Sequence, residues 1–78
     1  MTTQLLLRYD SFDRAAYDAE AEDRAAAGLT QLQLWREKDG GAHWALFSVT
    51  DAGRARAWVK KETGLGRGPD AHHLLETA

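Results

Sequence analysis

The sequence predicts an α+β domain in which a four-stranded antiparallel sheet carries two helices on one face. The pattern strand, helix, strand occurs twice within 78 residues. Apolar residues alternate within the predicted strands and recur every three or four residues within the second predicted helix. The resulting order, βαββαβ, is the ferredoxin-like layout.

The first half of the chain is bounded by residues that favour helix ends. Ser11 or Asp13 can cap the first helix, and Gly28 stands where a glycine commonly ends one. The helix between them is rich in alanine, which allows close approach to a sheet. We therefore expect a strand at 4–9, a helix at 12–27 and a strand at 29–36.

The second half repeats this order after a hairpin. Asp39-Gly40 is a strong signal for a tight turn between antiparallel strands. Asp51 can cap the second helix, and Gly64 can end it. We expect a strand at 42–50, a helix at 52–63 and a last strand at 70–77.

Composition limits the classes of function. The length suits one domain, and a domain this small often gains stability from a partner subunit. Cysteine is absent, and the ten Lys and Arg residues are dispersed, so we expect a cytoplasmic protein without disulfides or a nucleic-acid partner. No apolar run is long enough to span a membrane, and the N-terminal residues have no secretory pattern, so no membrane partner is expected.

The predicted strands have two different faces. One face is apolar and suits the underside of the helices: Leu5, Leu7, Tyr9, Leu32, Leu34, Ala45, Phe47 and Val49. We expect helix contacts from Phe12, Ala16, Tyr17 and Ala19 in the first helix and from Ala55, Trp58, Val59 and Glu62 in the second. The other face mixes apolar and polar residues: Gln4, Leu6, Arg8, Gln31, Gln33, Trp35, Trp44, Leu46 and Ser48. A covered but partly hollow face accounts for this mixture, and two such sheets packed together would form a barrel.

The chain resembles the dimeric α/β barrel superfamily, in particular its short antibiotic-biosynthesis-monooxygenase-like proteins. The resemblance covers nearly the whole chain and rests on segments 6–13 and 28–36, and on 45–51 leading into the helix with Trp58. It implies a homodimer that holds a small aromatic or polyketide-like molecule and acts as a monooxygenase or cyclase without a bound cofactor. The alternative is a non-enzymatic ligand-binding or accessory protein, and the sequence does not decide between them.

Arg8, His72 and His73 are the candidate catalytic residues. A histidine facing the barrel interior could remove a proton from a phenol or an activated C–H group. Arg8 could then stabilise the resulting anion, or it could form a salt bridge across the dimer. Adjacent histidines on a strand point to opposite faces, so only one of His72 and His73 can face the interior. His72 and Glu76 would lie about 13 Å apart along a strand, so no metal site is predicted.

The candidate ligand-binding residues share the mixed face. Trp35 and Trp44 flank the hairpin and could stack on an aromatic ligand, or they could anchor the dimer interface. The other residues assigned to this group are Leu6, Gln31 and Gln33. The glycine-rich segment 64–69 lacks the spacing of a phosphate-binding loop, so we interpret it as a flexible connection or a lid.

Overall fold

The computed structural model describes residues 2–78 and has four strands and three helices in that part of the chain. The sheet order is β2-β3-β1-β4 with every neighbouring pair antiparallel, which is compatible with a ferredoxin-like fold. The predicted α+β class and four-stranded sheet are therefore confirmed. The elements are β1 (Thr3–Tyr9), α1 (Arg14–Ala19), α2 (Ala21–Ala26), β2 (Leu29–Arg36), β3 (His43–Val49), α3 (Ala52–Gly64) and β4 (Ala71–Glu76).

The first predicted helix is divided into α1 and α2 at Glu20. Asp13 caps α1 by accepting a hydrogen bond from the amide of Ala16 at 3.2 Å. The bulky side chains Tyr17 and Arg24 are the buried ones, whereas Ala16 and Ala19 are exposed. The prediction that Ala16 and Ala19 contact the sheet is therefore wrong, because the long side chains fill that space.

The core lies between the sheet and the helices. It joins the central strands β1 and β3 to α3, and α3 buries the four residues predicted to face the sheet: Ala55, Trp58, Val59 and Glu62. The fully buried strand residues are Leu5, Leu7, Ala45 and Phe47. Alternation along each strand thus places their neighbours on the opposite side of the sheet.

A β-bulge in β2 changes which side chains face the helices. Gln31 pairs with Phe47 and Gln33 pairs with Leu46, so Leu32 is an extra residue without a partner on β3. The hydroxyl of Tyr17 donates a hydrogen bond to Gln31 Oε1 at 2.5 Å, which places Gln31 on the helix side. The predictions that Gln31 faces away from the helices and that Leu32 is covered by them are wrong, since Leu32 is 50% exposed.

Gly28 links α2 to β2 in a conformation that favours glycine. Its φ angle is +80°, as expected for a residue that follows a helix end. Its carbonyl accepts hydrogen bonds from the amide and the hydroxyl of Thr50, at 3.1 and 3.3 Å. This contact holds the start of β2 beside the end of β3.

No helix within residues 2–78 has both the length and the apolar character that a membrane span requires.

Candidate functional site

The side of the sheet opposite the helices, here called the open face, presents three rows of side chains across the strands. The register aligns each row over all four strands. The first row is Trp35, Trp44, Arg8 and Ala71; the second is Gln33, Leu46, Leu6 and His73; the third is Thr30, Ser48, Gln4 and Leu75. The face therefore combines large apolar groups with amide, guanidinium and imidazole groups at neighbouring positions.

Trp35 and Trp44 are directly opposite one another on β2 and β3. The indole N–H of Trp44 donates a hydrogen bond to Glu37 Oε2 at 2.7 Å, so the hairpin fixes this ring. Trp35 is 44% exposed. One edge of the open face thus offers an anchored indole beside an accessible one.

Arg8 lies next to Trp44 in the first row. Its Nε is 3.4 Å from Asp10 Oδ1, and its side chain is partly exposed. His73 pairs with Leu6, two residues along β4 from the partner of Arg8. Such diagonal neighbours are roughly 7–8 Å apart, close enough for both side chains to reach one small ligand.

Two of the predicted site residues lie on the other side of the sheet. His72 pairs with the buried Leu7, so its side chain is on the helix side, as that of Gln31 is. Neither side chain can line a cavity with His73 on the open face. Leu6, Arg8, Gln33, Trp35 and Trp44 do lie on the open face as predicted, and their roles remain predictions.

No protein-family model matches this chain, and the comparisons with curated proteins and with solved structures found no match. The resemblance to the dimeric α/β barrel superfamily therefore remains a prediction.

A cavity of about 350 Å³ lies on the helix side near the end of β1. Its aromatic wall consists of Tyr9, Phe12 and Tyr17, whose ring centroids are 5.1–6.3 Å apart. Gly66, Arg67 and Gly68, in the segment after α3, also line it. Burial raises the pKa of both Tyr9 and Tyr17, so these phenols remain protonated at neutral pH.

A network of charged side chains lies beside this cavity. Glu62 is 2% exposed and pairs with the Nε of Arg67, which also lies 3.3 Å from Glu20 Oε1. Within residues 2–78, Glu62 Oε1 and Glu20 Oε2 are buried and have no hydrogen-bond partner. The interaction with the neighbouring carboxyl group of Glu62, together with desolvation, raises the pKa of Glu20. A proton held between the two carboxyl groups would satisfy both oxygens.

Asp23 joins the same acidic cluster. Glu20, Asp23 and Glu62 each place one carboxylate oxygen within 4.8 Å of the other two, a spacing that a metal ion could use. Arg67 already pairs with Glu62, and Lys61 lies 3.5 Å from Asp23. These ion pairs, together with a proton shared by Glu20 and Glu62, account for the close approach of the three carboxyl groups without a metal ion.

Sequence reasoning missed the burial of Arg24 and the pairing of Glu20 with Glu62. Arg24 lies seven residues after Tyr17, and its guanidinium carbon is 3.8 Å from the centre of the Tyr17 ring. Glu62 occupies the last position of the apolar stripe of α3. The sequence did contain a signal for this pairing. Glu62 is a charged residue at a position of the helix where the pattern has apolar residues, and a charged side chain is buried only when it has a partner.

Proposed function

We propose that the open face is covered by a second copy of the chain and that the resulting barrel binds a small aromatic molecule. The observation that carries the proposal is the composition of the open face. Trp35 and Leu75 are 44% and 45% exposed in one chain, and Leu6, Leu46 and Trp44 lie among or beside them. Apolar groups concentrated on one face favour an interface over contact with water.

The polar residues of the open face support a ligand inside that interface. Packing two identical faces together would bury Gln4, Gln33 and Arg8, which need hydrogen-bond partners once water is excluded. A ligand with an aromatic ring and an oxygen atom supplies contacts of both kinds. Its ring would stack against Trp35 and Trp44, and its oxygen would accept hydrogen bonds from Arg8.

The reaction that fits this arrangement begins with proton removal. His73 would take a proton from a phenol or an activated C–H group, leaving the electron pair on the substrate as a phenolate or enolate. Arg8 would stabilise the oxygen anion. In a monooxygenase reaction the carbanion form reacts with dioxygen, so that a CH₂ group and O₂ yield a C=O group and water. In a cyclase the carbanion form instead attacks a carbonyl carbon elsewhere in the substrate, and the resulting alkoxide takes back the proton that His73 removed.

The second candidate function is ligand binding without catalysis. The ion pair between Arg8 and Asp10 favours it, because a guanidinium already compensated by a carboxylate binds an anion less strongly. The open face would then serve assembly or ligand storage. The two candidates share the dimer and differ only in turnover.

Assembly can be tested with a matched pair of leucine variants. Leu75 is 45% exposed on the open face, and Leu65 is 58% exposed at the end of α3. Sedimentation velocity over a hundredfold concentration range should show that the wild type is a dimer. The Leu65→Glu variant should dimerise as the wild type does, whereas the dimer of the Leu75→Glu variant should have a Kd at least about 100-fold higher. A wild-type protein that stays monomeric would refute the barrel.

Catalysis can be tested with anthrone, an aromatic ketone with an activated CH₂ group. We expect oxygen uptake and formation of anthraquinone with the wild-type dimer, and loss of both in Arg8→Ala and His73→Phe variants that remain dimeric. His72→Phe is the control, because its side chain lies on the helix side. Quenching of tryptophan fluorescence by anthrone without oxygen uptake would support the binding protein instead.

A further inference from the structure

The basic residues of α3 fall into two groups with different surroundings. On the side towards α2, Arg54 donates a hydrogen bond to the carbonyl of Ala26, and Lys61 pairs with Asp23 at 3.5 Å. Arg56 and Lys60, one turn apart, have neither an ion pair nor a side-chain hydrogen bond within residues 2–78. Two cations therefore remain available on one flank of α3.

These two cations border a groove between α3 and β4. The groove has a volume of about 590 Å³ and is lined by Arg56, Val59, Lys60, Thr63, Gly64 and His72. Val59 is buried and the stems of Arg56 and Lys60 are aliphatic, so the groove combines an apolar lining with a cationic rim. His72 marks the point where the groove meets the edge of the sheet.

β4 is an edge strand with unpaired backbone groups. It pairs only with β1, and the amide of Thr77 donates to the carbonyl of Thr2 at 2.9 Å. Because bonding alternates along an antiparallel ladder, the amides and carbonyls of His72, Leu74 and Glu76 point away from β1. The other edge of the sheet, β2, is interrupted by the bulge at Leu32, which disfavours a further strand there.

We propose that β4 binds an extended acidic peptide segment as a fifth strand, alongside the groove under α3. The peptide backbone pairs with the outward groups of His72, Leu74 and Glu76, and its acidic side chains meet Arg56 and Lys60. A second copy of this chain is a poorer occupant. Antiparallel pairing of β4 with itself would bring Arg56 and Lys60 of both copies together, and like charges repel. The proposal does not depend on the function assigned to the open face.

The experiment is an NMR titration of the ¹⁵N-labelled full chain with two nine-residue peptides. The acidic peptide alternates valine and glutamate, and the control peptide has lysine in place of each glutamate. We expect saturable amide shifts at His72, Leu74 and Glu76 with the acidic peptide only. A rise in salt from 20 to 300 mM should weaken binding several-fold. Shifts confined to α3, or equal binding of both peptides, would overturn the proposal.

Two charge-reversal variants make the test specific. The Arg56→Glu/Lys60→Glu variant should bind the acidic peptide at least tenfold more weakly and should bind the lysine peptide instead. The Arg36→Glu/Lys38→Glu variant has the same change in net charge at the other edge of the sheet and should bind as the wild type does. Equal weakening in both variants would mean that net charge alone attracts the peptide, and it would refute the site. The wild-type shifts decide the question if the first variant does not fold.

Discussion

Replacing Gly28 with alanine should destabilise the protein by about 2–3 kcal/mol. Two terms contribute. At a φ of +80°, alanine costs roughly 1–2 kcal/mol more than glycine. A Cβ at this position would also overlap Thr50 Oγ1, so the Thr50 side chain must rotate and lose its hydrogen bond to the Gly28 carbonyl. The loss of that hydrogen bond contributes roughly 0.5–1.5 kcal/mol.

This cost is a large part of the total stability. A chain of this length has a free energy of unfolding of about 4–12 kcal/mol, at roughly 0.05–0.15 kcal/mol per residue. Each 1 kcal/mol shifts the Tm of a domain of this size by about 4–8 °C, so we expect a decrease of roughly 10–20 °C. Urea denaturation followed by circular dichroism and tryptophan fluorescence measures the same change at 25 °C.

A double-mutant cycle with Thr50→Ala separates the two terms. Alanine at position 50 has no Oγ1, and the Cβ of Thr50 is 3.6 Å from the position that an alanine Cβ at residue 28 would occupy, an ordinary contact distance. In that background Gly28→Ala should cost only the backbone term, about 1–2 kcal/mol. Equal costs in both backgrounds, or a cost below about 0.5 kcal/mol in the wild type, would show that the positive φ and the contact with Thr50 are not what fixes this position.

Two further predictions concern the core and the buried carboxyl pair. Phe47 is fully buried in β3, so Phe47→Ala should lower the free energy of unfolding by about 3–5 kcal/mol, whereas Phe47→Leu should cost much less; equal costs in urea denaturation would contradict the packing described. The pKa of Glu20 is raised above its ordinary 4.5 in the folded state, so the folded chain holds this proton to a higher pH than the unfolded chain does. The protonated Glu20 carboxyl group therefore stabilises the folded state at low pH, and this contribution is lost as the pH rises through the raised pKa. Urea midpoints between pH 4 and 8 should show this loss in the wild type and in the Glu22→Gln control but not in Glu20→Gln; identical profiles for all three would rule out the shared proton.

The sheet and α3 could be predicted because local sequence signals and tertiary packing agree there. Alternating apolar residues define the buried side of β1 and β3, and the stripe from Ala55 to Glu62 defines the buried side of α3. Asp51 caps α3 through the amide of Arg54 at 3.1 Å, as its position predicts. These features depend on nearest neighbours along the chain, which a sequence displays directly.

The errors arise where contacts distant in sequence decide the structure. The bulge at Leu32 depends on the pairing of β2 with β3, so regular alternation placed Gln31 on the wrong face. The break at Glu20 accompanies the burial of Tyr17 and Arg24, which an alanine-rich composition does not indicate. For the open face, alternation found Arg8, Trp35 and Trp44, but only the register of β4 separated His73 from His72.

The bulge in β2 has a consequence for tolerance of deletions. Because Leu32 is the extra residue, removing it leaves Gln31 on the helix side, Gln33 on the open face, and Leu34 and Trp35 as they are. Deleting one residue from a strand normally reverses every side chain beyond it. Here the deletion should restore regular pairing, whereas deletion of Thr30 should move Leu29 out of the core. Leu32 is thus a position at which β2 can be shortened by one residue without moving any other side chain to the opposite face of the sheet.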